Sequence, residues 1–200
     1  MTEIRIDPAS TALLLMDVHP PEHDQGTDSL AWRRSLTVIE ALLAAARQRG
    51  LLVVHAREAS GTDCPEAVNR PVTQGPTSGT THDGSVHRGL PPPILGEPVV
   101  DAADCPSLQQ TQLERILVSG GIRALLLAGH TNVVHVSNVL GAVLEGGYRC
   151  LLVGDACHCP HSRHGNSALH MLMDADDAGT TVVGCDEVLA ALHSTRKAMM

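Results

Sequence analysis

Two hundred residues suffice for one domain with a substantial core, and 43% hydrophobic against 18% charged residues is the balance of a folded chain. A formal net charge of -8 and a pI near 5.8 argue against a nucleic-acid partner, which calls for a basic footprint. No apolar run reaches bilayer length and the opening MTEIRIDPAS lacks a basic-then-apolar leader pattern, so no membrane partner and a cytoplasmic location are expected, with the six cysteines as free thiols.

Aromatic residues make up only 1% of the chain and Phe is absent, so the core must be built from Leu, Val, Ala and Ile. Such cores suit buried parallel sheets. In chain order, Thr11 to Val18 (TALLLMDV) is too short and apolar for a surface helix and predicts a buried strand. Ser29 to Arg49 carries Leu30, Leu36, Ile39, Leu42 and Leu43 near one helical face, with Gly50 as its stop. Leu51 to Glu58 predicts a second strand. The stretch from Ala59 to Pro98 is rich in Gly, Pro, Ser and Thr and reads as a long loop, either a functional cover or oligomer contact or a plain surface excursion.

Alternation then resumes. Val99 and Val100 lie in a short strand, Leu108 to Ser119 reads as a helix, and Ala124 to Gly129 as a strand. Asn132 to Glu145 is helical up to Gly146 and Gly147, and Cys150 to Asp155 is the next strand. Ser167 to Ala178 reads as a helix, Thr181 to Gly184 as a strand, and Asp186 to His193 as the last helix. About six strands interleaved with helices predict a single domain over residues 1–200. Its expected architecture is a three-layer α/β/α fold around a mostly parallel, Rossmann-like sheet, since parallel strands need right-handed crossovers.

Ligands of such sheets bind outside the carboxyl ends of the strands. The residues to inspect are therefore Asp17 to His19, Arg57 and Glu58, Asp101 and Ala102, Gly129 to His135, and Asp155 to Cys159. No G-x-G-x-x-G or P-loop pattern follows the first strand, so no nucleotide cofactor is expected.

The order of motifs resembles the isochorismatase-like cysteine hydrolases, the superfamily of isochorismatases and nicotinamidases. TALLLMDVHP, GEPVVDA, GIRALLLAGHTNVVHV, EGGYRCLLVGDAC and the tail SALHMLMDADDAGTTVVGCDEVLAAL carry the resemblance. It implies an α/β/α fold and, in typical members, a catalytic Asp after the first strand, a Lys after the third and a Cys after the fourth. Asp17 stands in the first position. The V-V-x-K pattern here reads Val99, Val100, Asp101, Ala102, and the Cys position, six residues beyond the strand-ending Gly129, holds His135 before Val136. Two of the three groups are thus absent. An imidazole at position 135 can act as base or ligand but forms no thioester, and Ala102 removes a cation that would keep Asp17 ionised. The family's fold is expected without its covalent chemistry.

Asp17 and His135 form the candidate acid/base pair, with His19, Arg57, His130 and Asn132 as substrate-binding candidates. Some isochorismatase-like members also lack the Cys and protonate a vinyl ether with their Asp. His19, His23, His130 and His135 with Asp17 would suit a divalent metal, but Arg57, Glu58, Ala59 and Ser60 stand where metal-binding nicotinamidases carry an Asp and a His. No metal is assigned. The run DACHCPHSRH lacks paired zinc-ligand spacing, and the resemblance makes Cys157 and His164 structural. Two functions follow. One is an enzyme acting on a small organic molecule by hydrolysis, elimination or rearrangement, as in a tailoring step of specialised metabolism. The other is a pseudoenzyme that binds or scaffolds. Either is expected as a homo-oligomer, by the resemblance.

Overall fold

The computed structural model describes residues 4–16, 18, 30–57, 87, 89–101, 111–130, 140–158 and 180–194. Six strands form one sheet in the order β3-β2-β1-β4-β5-β6. They are β1 (Thr11–Met16), β2 (Leu52–Arg57), β3 (Val99–Asp101), β4 (Ala124–His130), β5 (Arg149–His158) and β6 (Thr180–Val183). Every pairing is parallel. Among the described residues the helices are α1 (Leu30–Arg49), α2 (Gln112–Ser119), α3, described over 140–145, and α4 (Cys185–Ser194).

The central stretches of the strands are nearly all apolar because both faces are covered. Leu13, Leu15, Val53, Leu126, Ala128, Leu151 and Val153 point to one face and pack with Ile39, Leu42 and Leu43 of α1 and Val188 and Leu192 of α4. Ala12, Leu14, Val54, Leu125, Leu127 and Leu152 point to the other, against Leu113 and Leu117 of α2 and Leu140 and Val143 of α3. The period-two alternation of the strands thus sorts one apolar run into two cores. Each fully buried Leu contributes about 1.5–3 kcal/mol relative to exposure, so twin aliphatic cores replace the missing aromatics.

Three helices end by one device. After α1, Gly50 N–H donates to Arg47 O and Leu51 N–H to Ala46 O. Gly121 and Ile122 repeat the pattern on Val118 and Leu117 after α2, as do Gly147 and Tyr148 on Leu144 and Val143 after α3. The three glycines have φ of 69°, 64° and 78°, the left-handed conformation that this termination requires. The chain turns from each helix directly into β2, β4 and β5. At the other end of α2, Thr111 is extended (φ -74°, ψ 161°) and its hydroxyl accepts from Glu114 N–H at 3.1 Å. The helix therefore begins at Gln112 rather than at Leu108, because a capping residue interrupts the helical pattern.

Strand ends also differ from expectation. β1 stops at Met16. β5 runs on past Asp155 to His158, with an irregularity in its middle: Leu127 pairs with Leu152, but Gly129 pairs with Cys157. Two steps along β4 match five along β5, so residues 153–156 leave the β4–β5 pairing, while Val153 stays paired with Val183 of β6. Asp155 in that stretch accepts from Cys185 N–H at 2.9 Å and 3.2 Å, capping α4 with a carboxylate. The predicted helix at 167–178 and most of the long loop lie outside the described residues. No helix among the described residues is long and apolar enough to cross a membrane.

Gly129 closes the carboxyl end of the central pair. It stands opposite Met16 with φ 142°, and a Cβ there would overlap the Met16 carbonyl oxygen and lie 2.7 Å from its nitrogen. Those atoms are backbone and cannot yield without moving β1. Gly129→Ala is expected to lower stability by about 3 kcal/mol or more, read as a lower urea midpoint; a midpoint unchanged within error would show that the close approach is not a constraint.

Candidate functional site

Strand order reverses between β1 and β4. From β1 the chain builds outward through β2 and β3, then returns to add β4 on β1's other side. In parallel α/β sheets this switch point opens a crevice outside the carboxyl ends of the two central strands. Met16 and Gly129 are its last paired residues, and Val18 beyond β1 is fully buried.

The sequence-predicted site residues fall at or beyond this edge. Arg57 is the last residue of β2, with its Cα opposite Asp101 of β3. His130 is the last of β4, with its Cα opposite His158 of β5. Both stand at the carboxyl edge at backbone level, where the strand assignment puts them. Asp17, His19, Asn132 and His135 lie outside the described residues, as do His23, Ala102, Cys159 and His164.

The cysteines that are described are held as thiols. Burial pushes Cys150 up to about 12. Burial does the same for Cys157, also to about 12, aided by the nearby Asp155 carboxylate against a Gly129 N–H bond. Its Sγ sits 3.7 Å from Leu127 O, which fits a structural role. Cys185 rises to about 11, by burial first and then by Asp155 and Asp186. A thiol near 12 is roughly one part in ten thousand thiolate at pH 8, too little for a nucleophile. Mass-mapped iodoacetamide labelling should modify these three positions at least 100-fold more slowly in the folded protein than in urea. Comparable rates would place the thiols in a different environment.

A buried polar cluster stands beside β2 that sequence reasoning did not find. His55 is fully buried in β2, and its Nε2 lies 3.0 Å from Glu97 Oε2. Arg47 of α1 grips the same carboxylate with two bonds of 2.8 Å and donates to Pro92 O at 2.9 Å. Ile94 N–H adds a further bond at 3.0 Å. Burial alone would raise Glu97, but these donors outweigh it and hold the carboxyl at about 2. Burial lowers His55 against the pull of Glu97, so the ring is neutral, with its proton on Nε2. A lone His inside LLVVHARE was the only sequence signal, and Glu97 lies 42 residues away. Among the described residues, no group of three or more His, Cys, Asp or Glu could hold a metal ion.

Both shifts weaken the fold in acid. The Glu97 contribution is present above pH 4.5 and lost as pH falls toward 2. His55, preferring neutrality, adds its cost as pH falls below 6.5. The stability advantage over Glu97→Gln, on the order of 2–3 kcal/mol at neutral pH, should shrink between pH 4.5 and 2 in urea titrations. A constant advantage would contradict the ionised cluster.

The family model described as Isochorismatase domain matches residues 11–187. An isochorismatase family protein from Burkholderia thailandensis superposes with a TM-score of 0.69 at 20% identity, covering 96% of this chain and 100% of its own. An isochorismatase-family protein from Chromobacterium violaceum gives 0.65 at 24% identity, covering 97% and 99%. N-carbamoylsarcosine amidase from Thermoplasma acidophilum gives 0.63 at 22%, covering 88% and 97%.

Proposed function

Since this chain belongs to the isochorismatase family, we propose that it is a hydrolase-like enzyme acting on a small organic molecule without a cysteine nucleophile. Asp17 and His135 are its acid/base pair, and His19, Arg57, His130 and Asn132 contact substrate. The observation that carries this reading is the β1–β4 switch point, at whose edge β1 and β4 end, immediately before the stretches that hold Asp17 and His135 in the sequence. The silenced thiols of Cys150, Cys157 and Cys185 support it, since none of them replaces the family nucleophile.

In this reading the chemistry is acid/base hydrolysis at a carbonyl carbon. The His135 imidazole takes a proton from water as its oxygen adds to that carbon, and the tetrahedral adduct collapses as protonated Asp17 gives its proton to the departing nitrogen or oxygen. With Ala102 where typical members carry Lys, no cation from that position opposes protonation of Asp17. The amidase name of the Thermoplasma neighbour makes amides and ureido acids the first substrates to screen, followed by vinyl ethers. A tailoring reaction in specialised metabolism is the setting in which such an altered site fits best.

The test is a substrate screen read by mass spectrometry, with Asp17→Asn and His135→Ala as controls. Turnover should fall at least about 100-fold in each variant while the urea midpoint stays put. Undiminished turnover in both would overturn the assignment, and a covalent acyl adduct on the protein would overturn the non-covalent mechanism. Absence of turnover and of small-molecule binding across the panel would make the chain a scaffold rather than an enzyme.

A further inference from the structure

Val18 is the residue after Asp17, and its buried N–H donates to Nδ1 of His87 at 3.3 Å, across 69 residues of sequence. A buried main-chain donor needs an acceptor. Imidazole accepts only through a nitrogen that carries no proton, so Nδ1 of His87 must be bare. The ring has a fixed back wall. It is 3% exposed, and His55 packs against it with centroids 5.1 Å apart and planes tilted by 37°. His55 is tied by Nε2 to Glu97, and Glu97 is clamped by Arg47 of α1. The chain of contacts thus runs from a surface helix, through two buried rings, to the main chain at the exit of β1.

We propose that His87 is a positioning residue: with Nδ1 unprotonated it holds the main chain at Val18, the residue that follows Asp17 in the sequence, and uptake of a proton at Nδ1 releases that hold. The inference deepens the proposed function and rests on Asp17 acting at the site. The physical step is simple. A proton on Nδ1 turns an acceptor into a donor that faces another donor, so the bond is lost and replaced by repulsion. Among the described titratable groups, His55 packs directly on His87, Glu97 lies beyond it and Arg47 beyond that; Asp17 adjoins Val18 in the chain. Neutral His55 does not repel the incoming charge, and the charge of Glu97 is shared with Arg47.

The experiment follows the Val18 amide in the full-length, 15N-labelled protein, with its exchange expressed as a protection factor so that intrinsic pH effects cancel. At neutral pH the His87 ring should show a bare Nδ1 and Val18 should be protected. Protection should then drop about tenfold as His87 titrates, while core amides such as Leu126 keep theirs. His87→Asn, whose side-chain oxygen can occupy the Nδ1 position, should keep the protection and lose its pH step. His87→Gln, whose amide reaches toward the Nε2 position, should lose the protection at all pH values. If His87→Ala does not fold, the Asn and Gln pair and the wild-type titration decide. An Nδ1-protonated ring at neutral pH, protection without a pH step, or protection intact in His87→Gln would each overturn the proposal. The readout is an amide rather than turnover, so a protein that acts on no substrate defeats the functional reading without touching this result.

Discussion

The parallel pairing of β1 with β4 is the constraint on which the rest of this molecule depends. Both strands are buried on both faces, so neither tolerates a polar side chain without a partner, and helices must cover the sheet above and below. Because the strands run the same way, every connection has to cross over a face. At the carboxyl end the two backbones meet so closely that only glycine fits opposite Met16. The same meeting is the reversal of strand order, so this close backbone approach falls where parallel α/β sheets bind their ligands.

Around that centre, several polar groups among the described residues are held by charged or main-chain partners. His55 interrupts an apolar strand, and a neutral ring with one proton aimed at Glu97 makes this tolerable. Glu97 in turn is tolerable because Arg47 and a main-chain donor surround it. The Asp155 carboxylate of β5 holds the first turn of α4 and lies close enough to Cys157 and Cys185 to discourage their ionisation. Burial and neighbouring negative charge therefore make these cysteines packing residues.

Element positions were legible wherever one local rule decided them. Gly50 and Gly147 marked helix ends because only a left-handed residue completes the terminating hydrogen bonds. Apolar runs of strand length marked the sheet. Thr111 misled, since its hydroxyl competes with the helix and moves the start of α2 by capping it. The extension of β5 to His158 was hidden because DACH is no more strand-like than its surroundings, and its second half is recruited by pairing with Gly129 and His130. Of the candidate site, the strand-end positions of Arg57 and His130 were legible from apolar runs alone. The partnership of His55, Glu97, Arg47 and His87 was not, because the partners lie tens of residues apart and only the crossover of α1 and the return into β3 bring them together.

What the sequence by itself determined is therefore the parallel α/β architecture, the absence of Cys at position 135 and of Lys at position 102, and the residues that follow each strand. These depend on residue identity and on periodicities of a few residues. Only the tertiary structure decided which face each strand residue serves, that Gly129 admits no side chain, that three thiols are silenced, and that an imidazole holds the exit of β1. Each of these depends on distances between segments remote in the chain, and neither burial nor a hydrogen bond exists until the crossovers have brought those segments into contact.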